Sequence, residues 1–84
     1  MPMKSLSHWN YRVIAHADVD GSPYVAIHEV HYDDKGVPAA YTECATDVLA
    51  EDVDGLRWQL NHMLKACEAP VLSESDFIGN KDDV

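Results

Sequence analysis

Two turn sequences, set one strand-length apart, dominate what this chain can fold into. Asp18-Val19-Asp20-Gly21-Ser22-Pro23 has the chemistry of a reversal, and its Asp20-Gly21 pair suits a type I′ hairpin. Asp33-Asp34-Lys35-Gly36 fits a type I turn closed by a left-handed glycine. The flanking runs, Trp9 to Ala17 and Tyr24 to Tyr32, are rich in aromatic and β-branched residues, as strands prefer. A third strand is expected at roughly Val37 to Ala45. Loops this short cannot hold a crossover, so the three strands should form an antiparallel meander.

With Asp20-Gly21 at the first tip and Gly36 in a bulge at the second, Val13 falls opposite His28. Arg12 then faces Glu29, and Glu29 faces Tyr41. One sheet face would collect Trp9, Tyr11, Val13, His28, Val30 and Tyr32, and the other Arg12, Ile14, Ile27, Glu29, His31 and Tyr41. The first is the drier face.

The remaining element is a helix from about Asp52 or Val53 to Ala66 or Cys67, acidic at its start, with Lys65 near its end and Pro70 beyond. Gly55 weakens its first turn, so a start after Gly55 is a second possibility. At 100° per residue, Val53, Leu56, Leu60, Met63, Leu64 and Cys67 fall in one stripe about 100° wide. That stripe is expected to cover the dry sheet face. The predicted fold class is therefore α+β: a three-stranded antiparallel meander with one C-terminal amphipathic helix on one face, β-β-β-α. Pro70-Val71-Leu72 and Asp76-Phe77 are expected to strap an exposed edge of this core. Residues 8–77 form the single domain, with 1–7 a flexible N-terminus and 78–84 an acidic disordered tail.

Charge bounds the function. The chain has 84 residues, with 15 Asp and Glu against 6 Lys and Arg, for a net charge of −9. A direct nucleic-acid binder needs a basic face, and so does a protein held on an anionic membrane. Neither partner is expected. No apolar run approaches signal-peptide or bilayer-spanning length. Cys44 and Cys67 are too few for a disulfide scaffold, and each is placed on a core face as inert packing. A cytoplasmic location follows as the default.

The motifs that suggest chemistry mostly fail on spacing. His28-Glu29-Val30-His31 is one residue short of the zinc-protease pattern, and on a strand His28 and His31 project to opposite faces. His28 reads as a buried histidine hydrogen-bonded to Tyr11 or Thr42. Asp18-Val19-Asp20-Gly21 and Asp52-Val53-Asp54-Gly55 are the same tetrapeptide, but neither lies in a loop with calcium-ligand spacing. No catalytic residue, cofactor or metal is assigned. What remains is surface: Arg12, Ile14, Ile27, Glu29, His31 and Tyr41 on an open sheet face, and Trp58 with His62 on the outer side of the helix.

Trp9-Asn10-Tyr11-Arg12-Val13, Ala26-Ile27-His28-Glu29-Val30, Tyr32-Asp33, Tyr41-Thr42-Glu43, Pro70-Val71-Leu72 and Asp76-Phe77 together resemble a family of small uncharacterised bacterial proteins. The likeness spans about residues 8 to 77. It implies a bacterial, cytosolic origin and one compact α+β domain, and it transfers no catalytic residue. Arg12, His28, Glu29, Tyr41 and Glu43 fall within the matching motifs.

The leading expectation is a protein–protein interaction or accessory module, its partner an unidentified protein or a second copy meeting the open sheet face. One alternative is an inhibitor that mimics nucleic acid. Glu43 to Asp54 carries five acidic residues and no basic one. Another is a small metal or ligand binder using Arg12, Glu29, His31 and Tyr41.

Overall fold

A computed structural model describes residues 8–77. The expected flexible N-terminus and acidic tail lie outside the described residues. The elements are β1 (His8–Ala17), β2 (Pro23–Tyr32), β3 (Pro38–Tyr41), α1 (Val53–Glu68) and β4 (Leu72–Ser73), followed by a single 3-10 turn, Glu74–Asp76. The fold is α+β, with one helix and a four-stranded mixed sheet in the order β3-β2-β1-β4. The meander is present, but a fourth strand joins it. β4 runs parallel to β1, pairing Ile14 with Leu72 and Ala15 with Ser73. Among the described residues no helix is long and apolar enough to cross a membrane.

The first hairpin departs from expectation by one residue, and the consequences are large. A type I′ turn needs positive φ at both central positions. Only Gly21 has it, at 87°, and no non-glycine residue among those described does. The reversal is instead built on Asp18, whose carbonyl accepts from Gly21 N at 2.9 Å and whose amide donates to Ser22 O at 2.8 Å. Asp18 and Asp20 carboxylates hold the turn further, accepting from Val19 N and Ser22 N. This longer loop sets Val13 opposite Ile27 and Arg12 opposite His28.

A one-residue slip reverses which face β2 shares with β1. The second turn forms as expected, closed by Gly36 at φ 82°. A bulge between His31 and Tyr32 then places Val30, not Glu29, opposite Tyr41.

The sheet therefore has a core on each side. Under α1 lie Tyr11 and Val13, with Met63 and Ala66 from the helix and Ile27 packed against them. On the other face Ile14, Val30, Tyr32 and Phe77 form the second core, flanked by Tyr41 and Leu72. Ile27 is thus covered by the helix and Ile14 is fully buried, so the expected open sheet face carrying both does not exist. A half-buried tether crosses one sheet edge: Arg12 Nη2 donates to Pro70 O at 2.6 Å and Nη1 to Tyr32 Oη at 3.2 Å. Beyond it the 3-10 turn, pinned by Ser73 N donating to Asp76 Oδ2, delivers Phe77 to the sheet.

The helix begins at Val53, before Gly55, because Asp52 Oδ1 accepts from Gly55 N at 2.8 Å. Gly55 also permits a close approach, since a Cβ there would lie 2.9 Å from the Ala50 methyl. Its orientation is not the expected one. The buried residues are Gln59, Met63 and Ala66, whereas Val53, Leu60 and Leu64 are exposed. Both cysteines are exposed too, contrary to their expected place on core faces.

Candidate functional site

Three features of the surface follow from this arrangement. The first is the outer side of α1. Gln59 occupies a core position because its amide satisfies the preceding loop: Nε2 donates to Asp47 O at 2.6 Å and Oε1 accepts from Leu49 N at 3.1 Å. Those two bonds fix the rotation of the helix about its axis. The apolar stripe is turned about 80° from the buried side, with only Met63 shared, leaving Val53 66%, Leu60 52% and Leu64 60% exposed.

The second feature is a cleft of about 480 Å³ between β1 and α1, lined by Trp9, Tyr11, Arg12, Trp58, His62 and Lys65 among others. Alternation on β1 puts Trp9 and Tyr11 on the helix side of the sheet. Their rings meet edge to face at 5.3 Å, and Tyr11 meets Trp58 at 6.4 Å. One helical turn on, His62 stacks on Trp58 at 3.9 Å, and its Nδ1 donates to Trp58 O at 2.7 Å. Trp58 stays half exposed, because the C-terminal strap covers the opposite sheet face. A neighbouring cleft of about 470 Å³ shares Tyr11 and Trp58 but is acidic, with Glu29 and Asp47 in its wall.

The third lies on the strap side. His28 is buried, and its Nδ1 donates to Thr42 O at 2.8 Å, one of the two partners expected from the sequence. Its Nε2 faces His16 Nε2 at 2.9 Å, and His16 Nδ1 meets Glu74 Oε2 at 2.9 Å. Tyr24, Tyr41 and His28 surround the His16 ring. Desolvation, and then the Glu74 carboxylate, raise the Tyr41 phenol above its ordinary pKa. Among the described residues no three His, Cys, Asp or Glu side chains converge to hold a metal ion.

The eight surface candidates are thus dispersed. Arg12, Trp58 and His62 meet in the basic cleft. Glu29 and His31 pair at 3.8 Å on the helix side of the sheet, while Tyr41 packs against Phe77 on the other side. Arg12, Glu29, His31 and Tyr41 therefore form no common cluster, and Ile14 and Ile27 belong to the two cores. The acidic residues Glu43, Asp47, Glu51, Asp52 and Asp54 are all exposed, with Asp52 capping α1 and Asp54 paired to Arg57 at 2.9 Å.

Sequence reasoning places Lys65 beside Trp58 and His62, but it misses Trp9 as a cleft residue and takes Leu60 and Leu64 for core. The i, i+2 placement of Trp9 and Tyr11 was a usable signal for the cleft. The Gln59 bonds that rotate the helix are long-range and leave no local trace. No family model, curated protein or solved structure matches the chain.

Proposed function

We propose that this domain is a protein-interaction module that self-associates through the outer side of α1. One observation carries the reading: α1 buries a glutamine and holds its Val53, Leu60 and Leu64 out in solvent. Exposed apolar area of this kind is what an interface covers.

A second copy suits the stripe because Val53, Leu60 and Cys67 recur every seven residues with Leu60 at the centre. A two-fold axis through Leu60 sets the Val53 end of one helix against the Cys67 end of the other. That antiparallel pairing also brings opposite helix dipoles together. Each copy carries a net charge of −9, so the two repel at long range. Association should therefore strengthen with added salt.

Light scattering across protein and salt concentration tests this. The expected mass is a dimer in moderate salt, with Leu60→Glu reduced to a monomer whose circular dichroism matches the parent and whose melt no longer depends on protein concentration. A monomeric mass for the unaltered protein at every salt and the highest soluble concentration would sink the reading.

A further inference from the structure

We propose that the basic cleft between β1 and α1 binds a small planar carboxylate, an aromatic acid whose ring rests among Trp9, Tyr11 and Trp58 and whose charge is met by Lys65, with Arg12 held at the cleft's edge by Pro70 O and Tyr32 Oη. This goes beyond self-association and does not depend on it, since Trp58 projects about 140° from Val53, away from the outer stripe.

Charge is the first reason. Acidic residues outnumber basic ones 15 to 6 in the chain, yet among the described residues none of the acids lines this cleft, whereas Arg12 and Lys65 do. Neither Lys65 nor Arg12 has a carboxylate partner among the described residues; the ion pairs there involve His16, His31 and Arg57. Opposite charges a few ångströms apart at a protein surface attract strongly enough to change affinity about tenfold. Repulsion from the remaining acids is screened beyond about 8–10 Å. The same cations disfavour the other occupant of an aromatic cage, a quaternary ammonium.

Shape is the second reason. A volume of about 480 Å³ lies within the range of small-molecule sites. The aromatic walls are already fixed: Tyr11 holds one ring of each tryptophan edge to face, and His62 covers one side of Trp58. Trp9 and Trp58 remain 42% and 50% exposed, leaving π-surface for a flat ring. A wall built in advance loses little entropy on binding.

Tryptophan fluorescence can be read with 4-nitrobenzoate, 4-nitrobenzamide and acetate as probes, and chemical shifts of the two indole N–H groups report the site. The aromatic acid should quench saturably and shift both signals, binding about tenfold more tightly than the neutral amide. Acetate, lacking a ring, should not bind measurably. Lys65→Glu should weaken the acid about tenfold with an unchanged melt, because Lys65 is exposed and unpaired among the described residues. Trp58→Ala should abolish saturation, with folding checked by circular dichroism. Equal affinity for amide and acid, no saturable response to the acid, or indifference to Lys65→Glu would each overturn the proposal.

Discussion

The two sides of the sheet are sealed by elements of very different size, and the smaller one makes the drier core. Under α1, Tyr11, Val13 and Met63 retain 7–8% exposure. Under the strap, Ile14 and Val30 are at 0% and Phe77 at 1%, although a two-residue strand and one 3-10 turn supply the cover. A sixteen-residue helix thus seals less completely than a single phenylalanine. Dryness depends on which side chains are aimed inward, and α1 aims a glutamine, a methionine and an alanine.

Phe77→Ala should therefore be the most damaging of the substitutions considered, costing about 3–5 kcal/mol in urea unfolding. That is a large share of the roughly 5–15 kcal/mol available to a small domain, so the variant should be partly unfolded at 37 °C. Met63→Ala, on the helix side, should cost about 2 kcal/mol. A larger loss for Met63 than for Phe77 would reverse the ranking of the two cores.

Gln59→Ala should follow at about 1–3 kcal/mol, because Leu49 N and Asp47 O lose their partners. Hydrogen exchange at the Leu49 amide should accelerate well before global unfolding. Leu64→Ser should change monomer stability by less than about 0.5 kcal/mol. Its outward position predicts weaker self-association as the only sizeable effect, measured by sedimentation.

The smallest effect concerns alkaline pH. Burial raises the Tyr41 pKa in the folded state, with Glu74 adding to it. Stability from keeping this phenol protonated is complete below the ordinary tyrosine range and is lost as pH rises through the raised folded value. Wild type should lose more stability than Tyr41→Phe between about pH 9 and 11, read from urea midpoints. Parallel losses in the two proteins would mean that the phenol is not held protonated by the strap-side core.

Element identity was written in local chemistry. Strand-rich runs, the Gly36 turn, the acidic helix start and Pro70 all mark features found in the structure. Register was not, because a single residue in the Asp18–Ser22 reversal decides it. Asp20-Gly21 satisfies the composition of a two-residue loop as well as that of the longer one observed. The slip moves Ile27 to the helix side of the sheet, whereas Phe77 and Leu72 cover Ile14 and the Gln59 bonds turn the apolar stripe outward. Trp58 and His62 stack on each other regardless, since their contact depends only on the i, i+4 spacing of one helix.

The parallel pairing of β4 has a consequence for how the chain reaches this state. Ile14 meets Leu72 across 58 residues, so their encounter closes a loop containing two strands and the whole helix. Both turns and α1 form from neighbours along the chain and need no such closure. Sealing by Phe77 should accordingly come last in folding and loosen first. A ribosome-bound chain ending before Leu72 would hold a meander and a helix with Ile14 and Val30 still wet.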